Sequence, residues 1–148
     1  AAEAPLLQQR RRDGIALARS RPGGLAEPYG SLNVRSLGQQ HGLTDLLALP
    51  QERQLLALVR RVSFPFGWKA CLVLFPLSPH GSEARQPLMS WDLIEAGLPA
   101  DNWEAVSVGP ALADGRRTLL LASDDNFSIL QSNWLAVLAP RRSADCSE

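Results

Sequence analysis

The C-terminal third of the chain contains three apolar runs, at residues 103–108, 118–122 and 134–139. Each run has about the length of one β-strand, for which roughly five or six residues are typical. The first two runs are separated by Asp114-Gly115, a dipeptide that supplies the positive φ angles of a tight reversal. The pattern therefore predicts an antiparallel hairpin followed by a third, outer strand.

An earlier group of apolar runs has a similar character. Residues 43–49 and 54–62 are rich in leucine and are separated by a turn that begins at Pro50. A helical hairpin is the alternative for this pair, but the short lengths and the proline favour strands. If residues 69–77 form a strand, the side chains on both of its faces are mostly apolar, which is typical of a strand covered on both sides.

Other elements are predicted from shorter patterns. Residues 88–91 are expected to form a fourth strand, and residues 92–96 a single helical turn that ends at Gly97. Near the N-terminus, residues 6–17 are compatible with a short helix and residues 32–37 with a short strand.

The order of these elements indicates an all-β fold made of antiparallel strands. Four such strands within about 40 to 50 residues are the repeating unit of a β-propeller blade. The second group of runs, at 103–139, repeats the order of hairpin, loop and outer strand. Periodicity alone also allows a β-sandwich with similar meanders.

The charge balance limits the classes of partner. The 148 residues fit one domain, and 15 basic residues balance 15 acidic ones. This balance removes the global electrostatic case for nucleic acid or an anionic membrane as partner. The apolar runs are shorter than the roughly 20 residues that span a bilayer. Two cysteines form neither a disulfide framework nor a zinc site.

Two segments near the C-terminus resemble a known family. DNWEAVSVGP at 101–110 and DGRRTLLLASDDNF at 114–127 resemble the family called esterase-like activity of phytase, or phytase-like. In that family an Asp-Asn-aromatic-Glu-Gly segment precedes D-G-R-x-T-L-L-L-x-S-D-D-N-F. HGLTDLLALP at 41–50 resembles the start of an upstream family blade. The resemblance covers about residues 41–139.

The resemblance implies a β-propeller and divides the chain into three parts. Residues 41–140 would be phytase-like propeller blades, residues 1–40 a poorly structured arm or the remnant of a preceding blade, and residues 141–148 a polar tail. Family members are as a rule longer, so the chain would correspond to the C-terminal portion, a partial propeller. Relatives are often exported, which implies an exported or periplasmic protein.

The candidate site is centred on the Ser-Asp-Asp-Asn-Phe segment at 123–127, which we call the acidic turn. If the two strands pair through Asp114-Gly115, Glu104 and Asp124 lie at the same end of the sheet. The oxygens of Glu104, Asp124 and Asn126 suit a hard cation such as Ca²⁺. The alternative is that the acidic turn is shaped by side-chain hydrogen bonds to its own backbone.

These residues lead to the first functional hypothesis, a metal-assisted hydrolase of phosphate or carboxylate esters. Glu104, Asp124 and Asp125 are the predicted catalytic residues, and Asn126 and His41 the predicted substrate contacts. His41 precedes the first strand of the earlier group and could reach the acidic end of the sheet. A Ser-His-acid triad through a histidine has little support, because no G-x-S-x-G motif is present.

The second hypothesis is a non-catalytic propeller module, or a fragment, that acts in protein interaction. It would associate with itself or with the missing blades through open sheet edges. Departures from the family pattern bear on both hypotheses. Ala105 follows Glu104 where the family often has Gly, and Ser128-Ile129-Leu130-Gln131 lacks the Pro and the basic residue that commonly follow the acidic turn. If that basic residue contacts phosphate, its loss weakens the activity.

Overall fold

The computed structural model describes residues 14–20, 22–38, 41–63, 67–77 and 84–140 of the chain. These residues form ten β-strands and one short 3₁₀ turn at Arg35–Leu37, so the all-β prediction is confirmed. The strands are β1 (Ile15–Arg19), β2 (Glu27–Leu32), β3 (Gly42–Leu49), β4 (Gln54–Ser63), β5 (Gly67–Pro76), β6 (Ala84–Arg85), β7 (Met89–Asp92), β8 (Trp103–Ala111), β9 (Arg117–Ser123) and β10 (Leu135–Leu138).

The strands form three sheets. The first sheet has the order β1-β2-β6, the second β3-β4-β5-β7 and the third β10-β9-β8. All pairings are antiparallel except that of β2 with β6, which is parallel. The four strands predicted in the middle of the chain are therefore present as one meander, and the three predicted after them form a second.

The second sheet lies between the other two and is apolar on both faces. Along β4, Ala57 and Val59 pack into a core shared with the first sheet, whereas Leu56 and Leu58 pack into a core shared with the third sheet. Successive side chains of a strand point to opposite faces, so a strand covered on both sides must be apolar at every position. This explains the unbroken hydrophobic run that the sequence shows here.

The leucine-rich pair of runs forms a β-hairpin rather than two helices. β3 pairs with β4 from Leu49↔Gln54 to Gly42↔Arg60, with one irregularity between Leu43 and Asp45. Its turn is closed by a hydrogen bond of 3.1 Å from the Arg53 backbone N–H to the Pro50 carbonyl. The prediction of strands at this place is confirmed.

The predicted helical turn after the fourth strand is also present. The Ala96 N–H donates to the Asp92 carbonyl at 3.1 Å, four residues back. The Asp92 side chain accepts a second bond of 2.9 Å from the Ile94 N–H. Gly97 then stops the turn with a φ of 99°, a conformation that glycine adopts without steric cost. The turn places the fully buried Leu93 in the core between the second and third sheets.

The N-terminal predictions were wrong in the part that the structure describes. Residues 15–17, assigned to a helix, lie in β1, and the predicted helix up to residue 13 lies outside the described residues. The run at 32–37 is not a strand, because β2 ends at Leu32 and a 3₁₀ turn follows. The cause is tertiary pairing: β1 and β2 form a ladder from Ile15↔Leu32 to Arg19↔Glu27, which overrides local propensity.

The short strand β6 was not predicted, because it falls in a segment interpreted as a polar loop. Its two residues pair in parallel with Ser31 and Leu32 of β2. A two-residue strand carries no periodic signal. The predicted polar tail at 141–148 lies outside the described residues. Within the described ranges, no helix has the length and apolar character that crossing a membrane requires.

Candidate active site

The third sheet brings Glu104 and the acidic turn to the same end. Trp103 pairs with Ser123 and Ala105 with Ala122, so Glu104 is the extra residue of a β-bulge. The Asp124 N–H donates to the Asn102 carbonyl at 3.1 Å, which extends the pairing past the ends of β8 and β9. A bulge disrupts the ladder locally and redirects a side chain. Here it sets Glu104 beside the start of the acidic turn.

The buried amide of Asn102 connects this end of the third sheet to the second sheet. Asn102 is 0% exposed, and its Nδ2 donates to Glu104 Oε1 at 2.7 Å and to the Asp124 carbonyl at 3.2 Å. Its Oδ1 accepts a hydrogen bond from Arg60 Nη1. Arg60 Nη2 also lies 3.2 Å from Glu104 Oε1. We call Arg60, Asn102, Glu104 and the Asp124 backbone the rim network.

Asp101 anchors the loop that follows the acidic turn. The residue is 6% exposed, and one oxygen of its side chain, Oδ1, accepts the Asn102 N–H at 2.8 Å. The other oxygen, Oδ2, accepts the Ser132 N–H and the Trp134 indole N–H, both at 3.0 Å. Hydrogen bonds to an ionised acceptor are among the stronger ones in proteins. The buried Asp101 carboxylate therefore connects Asn102, which precedes β8, to the loop at Ser132 and Trp134, which precedes β10.

Sequence reasoning assigned no role to Asp101 or Asn102, although both lie in the segment that resembles the family. The polar pair Asp101-Asn102 stands directly before an apolar strand. Because polar groups next to a core require hydrogen-bond partners, this pair could have indicated the network.

The carboxylates of the acidic turn are used by its own backbone. Asp124 Oδ1 accepts the Asn126 N–H at 3.1 Å, and Asp125 Oδ1 accepts the Phe127 N–H at 2.9 Å. Asp125 Oδ2 further accepts a bond of 3.0 Å from Asn133 Nδ2. These side-chain-to-backbone bonds are those expected for Asp in turns. The acidic turn is therefore shaped by its own side chains, as the alternative interpretation expected.

The acidic turn holds two consecutive residues in the left-handed region. Asn126 has a φ of 48° and Phe127 a φ of 56°. This region is tolerated by Asn but is unusual for a bulky aromatic residue. The Phe127 side chain is fully exposed, so its burial does not offset the strain. Such outliers cluster at functional sites, where the surrounding contacts maintain them.

The predicted metal ligands share one end of the sheet but form only part of a coordination shell. In the described part of the chain, no three His, Cys, Asp or Glu side chains are grouped as metal ligands. Glu104 is already paired with Arg60. The oxygens of Glu104, Asp124 and Asn126 suit a hard cation in chemistry, but Ca²⁺ takes about six to eight of them.

His41 is placed apart from the other predicted site residues. Leu43, two positions further along the chain, packs in the core between the first and second sheets, so His41 lies on the face of the second sheet turned away from Glu104. His41 as a whole is 6% exposed. Burial lowers the pKa of His41, and the charges of Arg61 and Lys69 lower it further, against a raising effect of the bond to Gly38.

Comparison with known proteins gives one finding at the level of the family. A sequence model described as Phytase-like, esterase-like activity of phytase, matches residues 1–127 of the 148. No curated protein and no solved structure matches the chain. The matched region begins at residue 1, upstream of the segment at about 41–139 that resembles the family, and ends at Phe127, the last residue of the acidic turn.

Replacing Asp101 by Asn should destabilise the protein by about 1–3 kcal/mol, because in either orientation the new amide N–H would face a donor, that of Asn102 or those of Ser132 and Trp134. Urea unfolding followed by tryptophan fluorescence measures this change. Glu27→Gln is the matched control, since Glu27 lies in an exposed ion pair with Arg19 at 3.7 Å and its substitution should change the stability by less than about 0.5 kcal/mol. Equal effects of the two substitutions would contradict the anchoring role of Asp101.

The free energy of unfolding should contain a pH-dependent contribution from His41. In the unfolded chain its pKa is about 6.5, and in the folded protein burial lowers it. As the pH falls through 6.5 towards the folded pKa, the unfolded state binds a proton that the folded state does not, so stability decreases. Urea midpoints between about pH 8 and pH 5 should therefore fall less in His41→Gln than in the wild type. Parallel curves would show that His41 titrates normally.

Proposed function

Because the chain belongs to the family of the esterase-like activity of phytase, we propose that it hydrolyses phosphate or carboxylate esters at the acidic turn. The observation that carries this proposal is the rim network, in which one buried amide joins Glu104 to the backbone of Asp124. The network holds carboxylates at the end of a rigid sheet rather than on a free loop. Rigid placement of reacting groups is what catalysis by positioning requires.

The acidic residues differ in their suitability for this role. Both oxygens of Asp125 accept hydrogen bonds within the turn and the loop. For Asp124 the bond to the Asn126 N–H involves Oδ1. We therefore place Asp124 in the main catalytic role, with Asp125 holding the turn around it. Asn126 is the proposed substrate contact at this end of the sheet, whereas His41 lies in a different cluster.

We propose Ca²⁺ as the cation, with Asp124, Asn126 and Glu104 as protein ligands. A bound Ca²⁺ would shield the charge of a phosphate ester and lower the pKa of a water molecule beside it. Glu104 would have to share its charge with Arg60, which lies 3.2 Å away. In the family, a basic residue commonly follows the acidic turn, and this chain lacks it. Arg60 would supply a positive charge at the site from β4 instead.

We also propose that the second and third sheets are neighbouring blades of a β-propeller. Each is an antiparallel meander, and they share one apolar core, as adjacent blades do. The rim network lies between them, at the ends of β4, β8 and β9. In such a propeller the acidic turn would lie at one rim, together with the ends of the neighbouring blades.

A second candidate function, self-association, is favoured by the outer face of the third sheet. This face carries the rows Ala105–Ala122–Leu135 and Ser107–Leu120–Val137. Leu135 is 73% and Val137 58% exposed, and β10 forms the edge of the sheet among the described strands. An apolar face beside an open edge is a template for pairing. We propose that a second copy of the chain covers it.

The hydrolase proposal is tested with p-nitrophenyl phosphate and p-nitrophenyl acetate, each with Ca²⁺ or with a chelator. We expect turnover of at least one ester, lower without Ca²⁺, and at least a tenfold loss in Asp124→Asn. Asp114→Asn is the matched control, because Asp114 lies in the hairpin turn at the opposite end of the same sheet. Absence of turnover in the folded protein, or full activity of Asp124→Asn, would refute the proposal.

Self-association is tested by size-exclusion chromatography with light scattering over a range of protein concentrations. We expect the mass to rise with concentration and the double substitution Leu135→Lys, Val137→Lys to keep the protein monomeric, since buried lysines oppose pairing. Leu25→Lys controls for added charge at another exposed leucine. A monomer at every concentration would exclude this candidate function.

A further inference from the structure

A cluster of basic side chains lies on the face of the second sheet that is turned towards the first sheet. Arg61 of β4 and Lys69 of β5 stand directly opposite each other in the ladder. Val59, two positions before Arg61, packs in the core shared with the first sheet, so Arg61 and Lys69 share that face. β3 begins with Gly42 opposite Arg60, so His41 comes next to Arg61, and the charges of Arg61 and Lys69 both lower the pKa of His41. We call these three residues the basic cluster.

Two buried polar atoms of the basic cluster have no hydrogen-bond partner in the described part of the chain. His41 Nδ1 lies 3.3 Å from the Gly38 carbonyl; a carbonyl only accepts, so Nδ1 carries the proton of the neutral ring and Nε2 is left bare. His41 Nε2 and Arg61 Nε are both buried and unpartnered. Burying a polar atom without a partner is costly, so the pair indicates a missing partner.

The charges of the basic cluster are only partly balanced. Lys69 Nζ lies 3.7 Å from Asp92 Oδ2, while Asp92 Oδ1 accepts the Ile94 N–H. Within the described ranges no carboxylate lies in ion-pair distance of Arg61. Like charges directly opposite each other on one face destabilise a sheet. Arg61 Nε–H needs an acceptor, and His41 Nε2 donates to the same acceptor once the ring takes up a proton. A partner that balances the charge and satisfies both atoms therefore carries negative charge and accepts hydrogen bonds.

We propose that the basic cluster binds an oxyanion, the phosphoryl or carboxylate group of a small ligand, between the Nε–H of Arg61 and a protonated Nε2 of His41. The planar guanidinium fork matches the oxygens of either group, and Lys69 adds charge at the exposed side. The site lies on the opposite face of the second sheet from Glu104, so it is separate from the acidic turn. It does not depend on hydrolysis by this protein.

Binding can be observed on the His41 imidazole by NMR. The chain has two histidines, His41 and His80, and His41→Gln assigns their ring signals. Inorganic phosphate or sodium acetate is added while sodium chloride keeps the ionic strength constant. We expect a saturable shift of the His41 signal, with a higher pKa in the presence of the anion, because a nearby negative charge favours the protonated ring.

Arg61→Gln should weaken the binding of the effective anion at least tenfold, since it removes a charged donor. Arg53→Gln removes an arginine from the exposed β3–β4 turn and should leave binding unchanged. If circular dichroism shows that Arg61→Gln is unfolded, Arg61→Lys replaces it; it keeps the charge, lacks the Nε–H and should also bind more weakly.

The outcomes separate the two sources of the oxyanion. Saturation by phosphate alone identifies a phosphoryl group, saturation by acetate alone a carboxylate, and saturation by both the shared chemistry. The proposal is overturned if neither anion shifts the His41 signal beyond the chloride control, or if the Arg61 variant binds as the wild type does. Since no ester is turned over in this experiment, its result is independent of the hydrolysis assay.

Discussion

The structure depends on the burial of the second sheet on both of its faces. Because β4 and β5 pack against a sheet on either side, their central positions must be apolar, and charge is confined to the ends of the strands. Arg60 and Arg61 occupy such an end and, as neighbours on one strand, point to opposite faces. One enters the rim network with Asn102 and Glu104, and the other enters the basic cluster. Two arginines that look equivalent in the sequence thus serve two different environments.

The elements that the sequence predicted correctly are those whose signal is local. The Asp114-Gly115 turn needs a positive φ, which Gly115 supplies at 83°, and the apolar runs of β4 and β5 reflect burial on both faces. The shared position of Glu104 and Asp124 followed from pairing through that turn. β1 and β6 were missed because they exist through pairing with β2, a contact between distant parts of the chain that leaves no periodic trace.

The site shows the same division between local and distant information. The acidic turn was recognisable from its composition, and its side-chain-to-backbone bonds span only two residues. Asp101, in contrast, acts on Ser132 and Trp134, more than thirty residues further along the chain. His41 is separated from Glu104 because Leu43, two residues further along, packs in the core on the face of the second sheet turned away from Glu104. That face can be read only from the three-dimensional arrangement.

The bulge at Glu104 links the core to the acidic turn in a further way. Trp103 and Val106 are both buried in the same core, although an odd spacing would send them to opposite faces of a regular strand. The bulge takes up the extra residue, so both can point inwards while Glu104 projects towards the rim. Glu104 is therefore the one residue of this stretch that stands outside the alternation of the strand. Substituting it changes the chemistry of the site, whereas deleting it would remove the bulge and leave Trp103 and Val106 two positions apart, on the same face of a regular strand.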